Sequence, residues 1–299
     1  MQKAITIIIC SMVALGVILG VVLYPLRGET IGTFGFYAWK LFSAEAHGGQ
    51  YADINGIRLY YETFGNGRPV LVLHGGTGSL EDMRYQIAAL AAERFVVAPD
   101  SRGHGRSSDA DVPLSYGLMA DDMLKLLDQL TLGRVDIVGW SDGGIIGLDL
   151  AIHHPERVRR LVAIGANYDV NGLTHPPVLT SRPPHPSWLY SHYAPDPGHW
   201  SVLYQKVITM WQTQPHYSVS ELSRIKSPTL IVAGEFDEIK REHTDRLASV
   251  IPGAQEFIVM GATHFAVMQN RSIINAQILR FLDGPTSEIT RPSTKSPGN

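Results

Sequence analysis

The chain has 299 residues, of which 44% are hydrophobic and 18% charged, with a formal net charge of −3. That length and apolar content allow one large buried core, and α/β domains commonly run to 200–250 residues as a single unit. The near-neutral charge gives no field suited to a nucleic acid or an acidic polymer as partner, and the single cysteine excludes an internal disulfide framework.

Residues 4–26 (AITIIICSMVALGVILGVVLYPL) carry no charge. As a helix this run is long enough for the roughly 30 Å hydrocarbon layer of a bilayer. It exceeds a signal-peptide apolar core, and the small-residue pattern Ala44-Glu45-Ala46 lies too far beyond it for ordinary cleavage. Residues 1–26 are therefore expected to be an uncleaved single-pass anchor; the alternative is a signal segment that is removed and a secreted product. Lys3 favours a cytoplasmic amino terminus against Arg27 and Lys40, which places the remaining chain on the periplasmic or extracellular side. Cys10 lies inside the run and reads as membrane-facing packing. Residues 27–50 read as a glycine- and aromatic-containing connector.

From residue 51, short β-branched runs alternate with helical spacing, the pattern of a mostly parallel sheet with helices on both faces. Strands are expected at Ile57–Phe64, Pro69–Leu73, Phe95–Ala98, Val135–Val138, Leu161–Ile164, Thr229–Val232 and Glu256–Val259. Helices are expected at Tyr116–Leu130 and Gly143–His153. The alternation stops over about 167–227, a stretch rich in proline, histidine and aromatic residues that reads as a cap with one helix, Trp200–Gln212. The tail 285–299 (PTSEITRPSTKSPGN) has the composition of a disordered segment.

The most informative motif follows the strand at Val135: Gly139-Trp140-Ser141-Asp142-Gly143-Gly144. A G-x-S-x-G turn between strand and helix presents a serine hydroxyl on strained backbone, and small flanking residues avoid clashes there. A serine needs a base before it can attack a carbonyl. In that architecture the order is nucleophile, acid, histidine. His264, the last histidine in the chain, follows the last strand, and Asp237 follows the strand before it. Glu235, Glu238 and Asp169 are competing acids. Two backbone N–H groups should receive the oxyanion: that of Asp142, and one from His74-Gly75-Gly76-Thr77-Gly78, with Gly76 preferred to Gly75. His74 reads as structural within its loop. Trp140 and Asp142 are candidates for substrate contact. A carboxylate beside the nucleophile suggests a cationic substrate group; otherwise that side chain turns away to bond the helix start. The cap histidines His175, His185, His192, His199 and His216 have no ligand-like spacing, so no metal is expected. Trp188, Trp200, Tyr204 and Trp211 read as cap packing and pocket lining.

Taken together, His74-Gly75-Gly76, the turn Pro99-Asp100-Ser101-Arg102-Gly103-His104-Gly105-Arg106-Ser107, the elbow, Asp237 and His264 resemble the α/β-hydrolase superfamily over about residues 51–284. The elbow and the His-Pro-Glu-Arg-Val segment look most like the valacyclovir-hydrolase-like (biphenyl-hydrolase-like) serine esterases. The resemblance implies an α/β-hydrolase fold and a triad of Ser141, Asp237 and His264. It also implies that the Pro99–Ser107 turn is not catalytic, and that an acidic group near the site suits amino-acid-type esters. The expected activity is hydrolysis of a small-molecule carboxylic ester or amide without a cofactor. Alternatives on the same fold are a carbon–carbon bond hydrolase, a lactonase or a perhydrolase. From another class, the alternative is a catalytically silent, membrane-tethered binding protein. Oligomeric state is not legible in the chain.

Overall fold

The computed structural model describes residues 29–42, 46–180, 183–186 and 188–284. The expected anchor over 1–26 and the tail over 285–299 lie outside the described residues. The chain divides into two compact units, Met1–Ser43 and Ala44–Asn299. Within the first, helix α1 (Glu29–Phe42) carries Lys40 in its last turn, where a cation complements the helix dipole. The Lys40 ammonium also sits 5.1 Å from the Tyr37 ring centre. A helix thus occupies much of the expected connector. Its glycines and interrupted apolar spacing hide it from a search for periodicity. Among the described residues no helix is long and apolar enough to cross a membrane.

The second unit is built on eight strands. In chain order its elements are β1 (Ala46–Ile54), β2 (Ile57–Phe64), β3 (Arg68–Leu73), α2 (Arg84–Ala91), β4 (Arg94–Pro99), α3 (Tyr116–Gln129), β5 (Val135–Trp140), α4 (Asp142–His153) and β6 (Val158–Ile164). After the inserted α5 (Trp188–Tyr193), α6 (Trp200–Thr213) and α7 (Val219–Leu222) come β7 (Thr229–Phe236), α8 (Arg241–Val250), β8 (Gln255–Thr263), α9 (Ala266–Gln269) and α10 (Arg271–Asp283). The sheet order is β1-β2-β4-β3-β5-β6-β7-β8. Strands β3 to β8 are mutually parallel, and β2 is antiparallel to both β1 and β4. This is an α/β-hydrolase fold, a mostly parallel central sheet with helices on both faces and a cap inserted between β6 and β7.

The central strands are buried over most of their length, as strands covered on both faces must be: all six residues of β5 and the last four of β3 are buried. The edge strand β1 differs. Its AHGGQYADI sequence is exposed except at Ala52 and Ile54, so it lacks the apolar run that marks its neighbours. It is held by pairing with β2, from Gly49↔Glu62 to Ile54↔Ile57. The connector expected to reach residue 50 therefore ends earlier, at the first strand.

Parallel strands share a carboxyl end, and the loops leaving β3, β5, β7 and β8 all open there. The register Leu73↔Gly139, Gly139↔Ala163 and Gly234↔Val259 brings those four strand ends side by side. Residues 74–78, 141, 237 and 264 thus come together although 190 positions separate the first from the last.

Candidate active site

Strand β5 ends at Trp140 and α4 begins at Asp142, leaving one residue to reverse direction. That residue, Ser141, sits at φ +54°, ψ −120°. Such backbone costs a non-glycine residue on the order of 1–3 kcal/mol and persists only when its surroundings impose it. Here the Ser141 N–H donates to the Ile164 carbonyl at 2.8 Å, while its carbonyl accepts the first helical bond from Ile145 at 3.0 Å. The turn is also too tight for side chains. A Cβ on Gly139 would stand 2.1 Å from the Gly143 carbonyl oxygen, and one on Gly143 would stand 2.4 Å from that of Leu73.

His264 lies just past β8, and Trp140 braces it: the indole Nε1–H donates to the His264 carbonyl at 2.8 Å, and the two rings pack 5.6 Å apart. The Ser141 hydroxyl reaches His264 Nε2 at 3.0 Å, and Nδ1 reaches Asp237 Oδ1 at 2.7 Å. Asp237 is itself fixed by the Gly234 N–H at 3.0 Å and the Ile239 N–H at 3.1 Å. Burial acts to raise the Asp237 pKa, but the bonds and charge of His264 and these amides hold it below the usual carboxylate value. Burial likewise acts to lower His264, yet the hydrogen bond and charge of Asp237 carry it above the usual imidazole value. Both directions favour an ion pair, which forms when the histidine takes the serine proton.

The other candidate acids stand elsewhere. Glu235 accepts from the Gly261 N–H at 2.7 Å, Asp169 is bonded to His216 at 2.9 Å, and Glu238 acts on His264 only through its charge.

The loop after β3 packs directly on the elbow. A Cβ on Gly75 would lie 3.2 Å from the Ser141 Cβ, and one on Gly76 would lie 2.5 Å from Asp142 Oδ2. His74 anchors the loop: its Nε2 accepts the Ser101 N–H at 2.9 Å and its Nδ1 lies 2.6 Å from the Gly75 carbonyl. Burial pushes this imidazole down to about 3, so it is neutral and serves as a strut between loops. The Pro99–Ser107 turn supplies the other half of the strut. Asp100 accepts from the Leu80 N–H at 2.8 Å and the Arg106 N–H at 2.9 Å, and position 105 requires glycine, because at its φ of +51° a Cβ would collide with that carboxylate.

The Asp142 carboxylate is buried, and it does not turn away to bond the start of α4. Oδ1 accepts from the Tyr116 hydroxyl and from the Trp211 Nε1–H, both at 2.8 Å. Burial pushes the carboxyl up to about 6, opposed by those two hydrogen bonds and by the charge of His264. Trp211 belongs to α6, so this bond ties the cap to the elbow. Sequence spacing gave no sign of this cluster, because its members are 26 and 69 positions from Asp142. The cap histidines disperse: His199 bonds Asp109 at 2.8 Å, His216 bonds Asp169, and His192 bonds the Trp188 carbonyl at 2.8 Å. Among the described residues no three metal-ligating side chains converge.

With this geometry in view, residues 68–196 match the family model described as alpha/beta hydrolase fold. The chain is 30% identical over 231 residues to the human protein called serine hydrolase BPHL, a match covering 71% of this chain and 78% of that one. It is 41% identical over 115 residues to the 2-hydroxymuconate semialdehyde hydrolase of Pseudomonas sp. strain CF600, but this match spans only 37% of the chain and 41% of that relative. Among solved structures, a serine hydrolase involved in carbazole degradation superposes with TM-score 0.66 at 23% identity, covering 79% of this chain and 98% of that one. The enol-lactonase of Burkholderia xenovorans LB400 superposes with TM-score 0.64 at 22% identity, covering 79% and 100%. These last two likenesses are of fold.

Proposed function

This chain belongs to the α/β-hydrolase superfamily and is a hydrolytic enzyme for small organic substrates, and on that premise we propose that it cleaves carboxylic esters or amides with Ser141 as nucleophile. The observation that carries this reading is the unbroken chain of hydrogen bonds from Ser141 through His264 to Asp237. As the serine oxygen attacks the carbonyl carbon, its proton passes to His264 Nε2, and Asp237 stabilises the imidazolium. The N–H groups of Asp142 and Gly76 receive the oxyanion. Collapse of the tetrahedral intermediate breaks the bond to the alcohol or amine, which leaves with the proton from His264. Water, deprotonated by the same histidine, then attacks the acyl-serine and releases the acid.

Within this reading, Asp142 favours substrates bearing an amino group near the scissile bond. A buried carboxylate, with no ion pair among the described residues, lies beside the glycine loop where a substrate carbonyl would sit. A bound ammonium would compensate it.

The test is labelling of the full chain by a fluorophosphonate probe, with and without Ser141→Ala, followed by turnover of p-nitrophenyl esters. Failure of the folded protein to label would turn the reading towards a silent binding protein. A second reading, carbon–carbon bond hydrolysis of a vinylogous diketone, is favoured by the 41% identity over 115 residues to a 2-hydroxymuconate semialdehyde hydrolase. A panel of esters, lactones, vinylogous diketones and peroxide separates it from ester hydrolysis and from the lactonase and perhydrolase alternatives.

A further inference from the structure

The indole of Trp211 touches both residues assigned to the oxyanion. Its Nε1–H donates to the two carboxylate oxygens of Asp142, at 2.8 and 3.1 Å. Its six-membered ring lies against Gly76, where a Cβ would stand 2.4 Å from Trp211 Cζ2, so glycine is what leaves the ring its place. One side chain of the cap thus borders the loop after β3 and the elbow together.

Helix α6 holds that ring in position. Leu203, Val207 and Met210 are buried along its inner face. Towards its start, His199 and Lys206 both bond the Asp109 carboxylate, at 2.8 and 2.7 Å, and Lys206 also bonds the Ala110 carbonyl at 2.6 Å. Just past its end, the Gln214 side-chain oxygen accepts the Tyr116 N–H at 3.3 Å, and the hydroxyl of that same tyrosine bonds Asp142. The cap helix is therefore fastened at both ends, and the indole is placed by contacts of the protein with itself.

The reaction geometry decides which part of a substrate meets this ring. The leaving alcohol must stand beside His264 Nε2, because that nitrogen gives it a proton. The oxyanion turns instead towards the N–H groups of Asp142 and Gly76, the two residues that Trp211 contacts. The indole accordingly borders the acyl part of the substrate rather than its leaving group.

We propose that Trp211 is a specificity residue that limits the length of the acyl group, so that the enzyme prefers short acyl chains such as acetyl and butyryl. A ring bonded to Asp142 on one edge and backed by a fastened helix does not swing aside for a longer chain. The proposal deepens the ester-hydrolase reading and rests on it.

The test measures kcat/KM of the full chain in neutral detergent on p-nitrophenyl acetate, butyrate and octanoate, for the parent, Trp211→Phe and Trp211→Ala. Partition of the longer esters into detergent is common to all three proteins and cancels when they are compared. The octanoate-to-acetate ratio should rise at least about tenfold in Trp211→Ala, since one methylene in an apolar pocket is already worth about 10–200-fold. It should rise by less in Trp211→Phe, which keeps a ring and carries the test if the alanine variant does not fold. On methyl, butyl and octyl butyrate, where only the alcohol lengthens, the relative rates within each variant should follow the parent's. Equal losses on every acyl ester would make Trp211 merely structural, and relaxation confined to the alcohol series would put it on the leaving-group side; either result overturns the proposal. A parent that favours octanoate over acetate overturns it as well. Folded parent that a fluorophosphonate probe does not label lacks the nucleophile, and the proposal falls with the hydrolase reading. Parent that labels, with the acyl ratio unchanged in both variants, keeps that reading and loses the wall.

Discussion

Replacing Asp142 by asparagine should make the protein more stable at alkaline pH while reducing its preference for amino esters. The side chain is buried, and its carboxyl is pushed from 3.8 up to about 6, chiefly by loss of hydration. A shift of about two units corresponds to roughly 3 kcal/mol. A raised pKa in the folded state means that the fold binds this proton more tightly than the unfolded chain does. The stabilisation from that proton is complete below the unfolded value near 3.8 and is lost as pH rises through about 6. At pH 8 the ionised carboxylate therefore costs the fold up to roughly 3 kcal/mol. Asparagine removes the charge without removing the acceptor, since Oδ1 receives both the Tyr116 hydroxyl and the Trp211 indole. For a domain of this size, 1 kcal/mol moves Tm by about 2–4 °C. The variant should thus melt on the order of 6–12 °C higher at pH 8, with the gap closing towards pH 4. The assay is thermal unfolding of full chain in neutral detergent, followed by circular dichroism at pH 8, 6 and 5. A variant less stable than the parent at pH 8, or a gap that does not change with pH, would refute the reasoning. Catalytically, the ratio of kcat/KM for an amino ester to that for its N-acetyl form should fall in the variant. Equal losses on both substrates would remove the amino-ester preference.

Further outcomes follow from the same geometry. Ser141→Ala should lower kcat by at least about 10⁴-fold and abolish fluorophosphonate labelling, because the rest of the triad has no nucleophile to activate. The parent's kcat/KM should fall as pH drops through a value above the ordinary imidazole range, since His264 must be neutral to act as base and Asp237 raises its pKa. In Asp237→Asn, a pH–rate profile should show that inflection moved down, with kcat lower by about 10⁴-fold. An unmoved inflection would show that another carboxylate holds the histidine. Arg102→Ala should destabilise the fold by about 3–5 kcal/mol in urea titration, because it leaves Asp122, bonded at 2.7 and 2.6 Å and inaccessible to water, as an uncompensated buried charge. Gly143→Ala should prevent accumulation of folded protein, its Cβ falling 2.4 Å from the Leu73 carbonyl oxygen.

The sequence by itself determined the parts of this protein that depend on local order. Consecutive apolar residues identified the central strands, because a strand covered on both faces has no polar side to present. The glycines around Ser141 identified the elbow, because only small residues fit so tight a turn. The order of Ser141, Asp237 and His264 after successive strands located the side chains that the fold brings together. Where the signal was not local, the sequence was silent. Strand β1 is recognised by its pairing with β2 rather than by its own exposed residues, and α1 by a helix that its glycines disguise. The environment of Asp142 was decided only in three dimensions. Its partners come from a helix start 26 positions earlier and a cap helix 69 positions later, and what sets its charge is burial and hydrogen bonding, which no spacing encodes.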